Sequence, residues 1–229
     1  MKTLYVIHGW TYTVEPWKTT IELLEEHGIA VMMLNVPGLT SPSDKVWTIK
    51  DYVSWADQNI PDGAIALGHS NGGRILLNLL SQKPDKLKHV ILLDAAGVYE
   101  ESKKRDVARK ISKLMAPFKK IKPLRKVYHK VLGASDYDRA PENMKRTLAN
   151  MLDSDKKLDL DKVTTPASIL WGKMDNVTPP RQAAVMHRHL KNSEIKYFED
   201  WTHAPYICDP TGLAKAIYAI MEKYAWNIF

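Results

Sequence analysis

Residues 68–73 read "GHSNGG", a serine with a glycine two positions away on each side, directly after the apolar run Ala64-Ile65-Ala66-Leu67. The run has the length and composition of a buried strand, and residues 71–82 follow with the periodicity of a helix. In that setting GxSxG has a mechanical meaning. A strand that turns sharply into a helix strains the serine backbone and lifts its hydroxyl above the sheet, while Gly68 and Gly72 let strand and helix approach closely. The alternatives are an incidental serine in a glycine-rich turn or a phosphate-cradling loop. The second fits poorly, because the stretch matches neither GxxxxGK[ST] nor GxGxxG.

Outward from this point, short apolar runs alternate with amphipathic stretches. "TLYVIHG" (3–9), "IAVMMLNV" (29–36), "AIALGHS" (64–70), "HVILLDA" (89–95), "ASILWG" (167–172) and "IKYFED" (195–200) read as strands, most of them apolar on both faces as in a parallel sheet. Helical patterns cover 16–27, with Pro16 at the first position and Gly28 as the stop, and 48–59, 71–82, 180–190 and 211–224. The alternation predicts an α/β fold with helices on both faces of a mostly parallel sheet. It is broken from about 97 to 163, where two basic helical patterns stand in place of strands. One has an apolar face of Val107, Ile111, Leu114, Met115 and Phe118, the other of Leu124, Val127, Tyr128, Val131 and Leu132. The domain reading is a core of 1–96 and 163–229, with 97–162 as a helical, basic insertion.

The chain has 229 residues and a formal net charge of +7, enough length for one good-sized core. The segment from Lys103 to Lys130 holds twelve Lys/Arg against the single acid Asp106, or +11, so the rest of the chain is acidic at −4. The basic character belongs to the insertion. Cys208 is the single cysteine, so the fold depends on no internal disulfide. The opening "MKTLYVIHGW" is too short in its apolar run for a signal-peptide core, and no later stretch could span a bilayer. A cytoplasmic location is the expectation.

A serine hydroxyl needs a base to take its proton and a carboxylate to orient that base. Both occur at later strand ends. "WGKMDNVTPP" places Asp175 just past one apolar strand, and "EDWTHAPY" places His203 in the loop after the next. Each falls at the carboxyl edge of the sheet, on the side of Ser70, where open α/β folds bind ligands.

With these residues in place, the chain resembles the α/β-hydrolases, in particular their capped esterase and lipase-like branch. "VIHGW" is similar to the family's HG-containing oxyanion loop, "NVPGLTS" to DxPGxGxS and "GHSNGG" to the nucleophile elbow. "WGKMDNVTPP" is similar to the acid loop WGxxDxxTP, and "THAPYICDP" to the histidine loop GHxPxxExP. The matches occur in family order and span residues 5–210. The sequence departs at Asn35, where the family often has Asp, at Thr202, where it often has Gly, and in lacking two leading strands, which leaves a sheet of about six.

The resemblance implies Ser70 as nucleophile, His203 as general base and Asp175 as orienting acid, with the backbone N–H groups of Trp10 and Asn71 as the oxyanion hole. It implies no cofactor and no metal. It implies a serine hydrolase cleaving a carboxylic ester or related acyl compound through an acyl-enzyme, with a small-molecule ester or acyl compound as partner. Alternatives are a small-ligand binding or signalling protein on the same fold, or acyl transfer, C–C bond hydrolysis or hydroxynitrile cleavage by the same three residues.

Asp94, which also ends a strand on the active edge, competes with Asp175 for the acid's role; otherwise it is a structural hydrogen-bonding residue. Asp200 and Asp209 read as surface or loop-stabilising residues, His8, the other conceivable base, as packing and hydrogen-bonding within the oxyanion-loop motif, His69 as a neighbour in the elbow, and Trp201 as either pocket wall or core. His187 and His189, two apart on a helix, point about 200° from each other and do not chelate. The basic insertion reads as cap helices with lysines in water, or as a positive surface weakly attracting anionic substrates or acidic membranes. Only Phe118 and Tyr128 add aromatics to it, and no nucleic-acid reader motif is present.

Overall fold

The computed structural model describes residues 2–99 and 140–225. The basic pair of helical patterns, and with it most of the 97–162 insertion, lies outside the described residues. Six strands form one sheet: β1 (Lys2–Ile7), β2 (Ile29–Met33), β3 (Ala64–His69), β4 (Leu87–Leu93), β5 (Ala167–Gly172) and β6 (Ser193–Phe198). Their order is β2-β1-β3-β4-β5-β6, and every neighbouring pair is parallel. This is the expected α/β architecture, with six strands as read from the sequence.

Helices α1 (Lys18–Glu26), α2 (Ile49–Asn59), α3 (Asn71–Leu80), α5 (Arg181–His189) and α7 (Pro210–Ala225) cover the sheet, while α4 (Glu142–Ser154) packs beside α2 and the short α6 (Pro205–Cys208) beside α7. Alternate strand residues supply two cores. Ala66, Val90, Leu92, Ile169 and Trp171 face one way and pack with Tyr52 and Ala56 of α2, Ile75, Leu76 and Leu79 of α3, and Ala183 and Met186 of α5. Leu67, Ile91, Leu93 and Leu170 face the other way and pack with Leu24 of α1 and with Leu213, Ile217 and Met221 of α7. Each fully buried large aliphatic side chain contributes about 1.5–3 kcal/mol over its exposed state, which is why the central strands are apolar on both faces.

Local signals set the ends of these elements. Thr48 and Asp51 form a reciprocal capping box at the start of α2, and Gly28, at φ +75°, ends the turn after α1. The predicted helix over 16–27 begins instead with a 3-10 turn, Glu15–Trp17, before α1 proper. Helix α4 falls inside the stretch read as insertion, and its Met144, Leu148 and Met151 are buried.

The topology fixes where a site can form. From β1 the chain moves to the edge strand β2 and then returns to β3 on the other side of β1. Helix α1 packs on one face and α3 on the other, so the loops leaving the carboxyl ends of β1 and β3 part and open a crevice. The loop after β1 lies hard against α3. A Cβ added at Gly72 would come within 2.0 Å of the Ile7 carbonyl oxygen, and one at Gly68 within 2.6 Å of the Gly73 Cα.

Both obstacles are backbone, so neither site can yield by turning a side chain. Gly72→Ala is expected to lower the unfolding free energy by at least about 3 kcal/mol, the upper end for overpacking a tight interior. Gly63→Ala, at φ +74° with open space around it, is expected to cost only about 1–2 kcal/mol of backbone strain. Denaturant midpoints of the two variants check this; equal losses would show that the elbow is not sterically closed.

Candidate active site

Ser70 sits between β3 and α3 with φ +50° and ψ −116°, a backbone region that L-residues rarely adopt. The Ser70 N–H donates to the Leu93 carbonyl at 3.1 Å, and its own carbonyl accepts from Arg74 and Ala96. These bonds to β4, α3 and the chain after β4 offset a strain of order 1–3 kcal/mol. The hydroxyl therefore projects from a fixed backbone at the N-terminus of a helix, where the dipole favours negative charge.

The other two residues singled out with it converge here, from 105 and 133 positions away in the sequence. Ser70 Oγ lies 2.9 Å from His203 Nε2, and His203 Nδ1 lies 2.8 Å from Asp175 Oδ2. The Asp175 side chain is fully buried and the His203 side chain is 21% exposed. Asp175 Oδ1 accepts from the N–H groups of Val177 at 2.7 Å and Thr178 at 3.0 Å, so the carboxylate is held by its own turn. Burial works against its charge, but the hydrogen bond and charge of His203, with the Thr178 and Val177 donors, outweigh it and hold the carboxyl below the usual range. An ionised acceptor at Nδ1 selects the tautomer with the proton on that nitrogen. Nε2 is then left as the acceptor for the Ser70 hydroxyl.

Trp10 and Asn71 flank the serine. A Cβ at Gly9 would stand 3.1 Å from Ser70 Cβ, which puts the loop carrying Trp10 in contact with the elbow. Asn71 opens α3, where the first backbone N–H groups have no intrahelical acceptor. Its side chain is locked from below: Arg74 donates to Asn71 Oδ1 at 2.6 Å and bidentately to Asp155, at 2.7 and 2.9 Å, just past α4.

Two hydrogen-bonded contacts of the site were not read from the sequence. His69 donates through Nε2 to the His203 carbonyl at 2.7 Å, tying the histidine loop to the elbow. Burial, reinforced by the charge of His203, pushes the His69 ring down to about 3, so it is neutral and cannot be a competing base near pH 7. The Thr178 hydroxyl lies 2.6 Å from Asp175 Oδ2 and 3.1 Å from His203 Nδ1. The spacing of Asp175 to Thr178, an acid three residues before a hydroxyl at a turn, carried the signal for the second.

Of the other residues weighed, Asp94 lies beside the site, its Oδ1 accepting from the Gly172 N–H at 2.8 Å, while His203 Nδ1 meets Asp175. His8 is buried with Nδ1 at the Gly9 carbonyl and Nε2 at Thr40 Oγ1. Asp209 accepts from Trp201 Nε1 and from the Gly212 N–H, bracing the loop, and Trp201 is core, stacked on Phe198. Asp200 is exposed. His187 and His189 bond separately to Ser193 and Asp161. Asn35 and Thr202, the two departures from the motifs, are both exposed, and Ser70 and His203 meet at hydrogen-bonding distance with Thr202 in place.

A family model described as "alpha/beta hydrolase fold" matches residues 2–156. A pimeloyl-[acyl-carrier protein] methyl ester esterase from Neisseria meningitidis serogroup C / serotype 2a is 27% identical, over 93% of this chain and 91% of its own length. A protein of the same name from Legionella pneumophila strain Paris is 21% identical, over 89% of this chain and 88% of its own. Among solved structures, a monoacylglycerol lipase from Paleococcus ferrophilus superposes with a TM-score of 0.69 at 18% identity, covering 97% of this chain and 94% of that one. An alpha/beta hydrolase enzyme from the metagenome of Mar Chica lagoon sediments, Morocco, gives 0.69 at 21% identity, covering 98% and 92%. At these identities the superpositions are a likeness of fold.

Proposed function

Because the chain belongs to the alpha/beta hydrolase fold family, we propose that it is a serine hydrolase of carboxylic esters or related acyl compounds, with Ser70, His203 and Asp175 as its catalytic triad. The observation that carries this reading is the unbroken hydrogen-bonded series Ser70 Oγ, His203 Nε2, His203 Nδ1 and Asp175 Oδ2. His203 removes the hydroxyl proton as Ser70 Oγ adds to the ester carbonyl carbon. The resulting oxyanion accepts from the backbone N–H groups of Trp10 and Asn71, a type of contact worth about 2.7–4 kcal/mol per donor. As the intermediate collapses, the C–O bond to the alcohol breaks and His203 returns its proton to the departing oxygen. Water then repeats the cycle on the acyl-enzyme, with His203 again as base, and the carboxylic acid leaves.

The names of the Neisseria and Legionella relatives make a methyl ester of a carrier-bound acyl chain the first substrate to try. An acyl substrate also suits the surroundings: Tyr12 and Met174, from the loops that carry Trp10 and Asp175, and Ile207, on α6 just after His203, are exposed. In this reading the basic stretch of the 97–162 insertion is a cap over the crevice, and its twelve Lys/Arg, at 103–130, draw in anionic substrates or carriers. No helix among the described residues is long and apolar enough to cross a membrane.

A panel of esters differing in acyl length and charge tests the assignment. Release of acid and alcohol in equal amounts is expected, and a well-folded protein that cleaves none of the panel would make it a binding protein instead. The same panel tests the cap. Between about 0.01 and 0.15 M salt the screening length drops from about 30 to 8 Å, so the second-order rate on an anionic ester should fall several-fold and that on a neutral ester should not. Equal salt dependence would remove the steering role.

A further inference from the structure

Asp94 ends β4 beside the site, and its environment is not that of an ordinary structural carboxylate. It is completely buried and has φ +43°, the one described non-glycine residue besides Ser70 with positive φ. Its Oδ1 accepts from the Gly172 N–H at 2.8 Å, at the start of the turn that carries Asp175, and its backbone carbonyl lies 3.0 Å from the Thr178 hydroxyl. Its Oδ2 is buried and no donor reaches it. The same Thr178 hydroxyl lies 2.6 Å from Asp175 Oδ2, which brings the Asp175 carboxylate, itself an acceptor, next to Asp94.

Two buried acceptors cannot satisfy one another; one must hold a proton. Asp175 is the wrong one to hold it, since His203, Thr178 and the Val177 N–H all stabilise its charge. We infer that Asp94 is a positioning residue for the proposed triad: a protonated carboxyl that donates through Oδ2 to the Asp175 carboxylate and fixes it against His203.

The electrostatics agree with the geometry. Burial, and then the neighbouring Asp175, push the Asp94 carboxyl well above the usual range against the one favourable Gly172 donor. The other titratable groups on this side are His203, His69, which is neutral, and Tyr206, whose phenol is pushed up to about 12 mainly by burial. One carboxyl is thus kept neutral and the other charged by environment alone. No covalent step is involved, and the proton stays on Asp94 throughout turnover.

Because the inference rests on the triad reading, its test separates the two. In protein labelled with 13C at the aspartate side-chain carboxyls, one resonance is expected to stay at the protonated position through pH 8 and to be missing from Asp94→Asn. If every aspartate carboxyl of the folded protein is ionised by pH 7, the inference is wrong. In kinetics, Asp94→Ala should lower kcat at least tenfold with KM changed less than about twofold. Asp94→Asn, whose amide can still donate to Asp175 and accept from Gly172, should recover most of that loss. A kcat for Asp94→Ala within twofold of wild type, or no recovery in Asp94→Asn, overturns the positioning role. If Asp94→Ala does not fold, the resonance and the Asp94→Asn kcat still decide. A persistent protonated resonance in a protein whose Ser70 never reacts with acylating probes would uphold the paired carboxyls and overturn their catalytic use.

Discussion

Ser70→Ala is expected to lower kcat for ester cleavage by about 10⁴- to 10⁶-fold while leaving the fold intact. Loss of the nucleophile from a serine triad removes the whole covalent route, so the remaining rate reflects only binding and oxyanion stabilisation. The Ser70 backbone N–H and C=O bonds to Leu93, Arg74 and Ala96 do not involve the side chain and persist in the variant. Its thermal midpoint should therefore stay within a few degrees of wild type. Progress curves at high enzyme concentration, with circular dichroism to confirm folding, provide the check. A loss under tenfold would mean that another group carries the chemistry.

The second large effect is expected at Asp175. Asp175→Asn keeps an oxygen for the Val177 and Thr178 N–H donors, which hold the turn, but presents His203 with a neutral group that favours the wrong tautomer. In convergent serine triads this exchange costs about 10⁴-fold in kcat. The expected signature is a kcat loss of roughly that size, a KM that changes little, and an unfolding free energy within about 1 kcal/mol of wild type. Wild-type turnover in Asp175→Asn would transfer the acid's role to another carboxyl, and Asp94 is the one within reach of the same turn.

What could be read from the sequence follows from how local each signal is. The elbow was legible because strand, glycines, serine and helix are contiguous, and the steric reason for both glycines appears in the 2.0 and 2.6 Å approaches at Gly72 and Gly68. Asp175 and His203 were legible one step less directly, since parallel strands deliver their following loops to the same edge. Helix α4 had a readable i, i+4, i+7 stripe in Met144, Leu148 and Met151, but it lay in a stretch read as insertion, and its packing on the core was missed. The Arg74–Asp155 clamp spans 81 residues and has no local signature at either end. His69 looked like a bystander because its partner is a backbone carbonyl 134 residues away. Asp94 was weighed against Asp175 as though only one could serve, because sequence shows two acids at two strand ends and not which of them lies against His203. The two basic helical patterns of the stretch read as insertion fall within residues 100–139, outside the described residues.

The central claim is that the Ser70 hydroxyl is activated by His203, and covalent capture tests it most directly. Incubation with a fluorophosphonate followed by peptide mass spectrometry should place a single adduct on Ser70 in the wild-type protein. Labelling should slow by several orders of magnitude in His203→Ala and be absent from Ser70→Ala. No adduct on the folded wild-type protein, or an adduct at Ser70 formed equally fast without the imidazole, would contradict it.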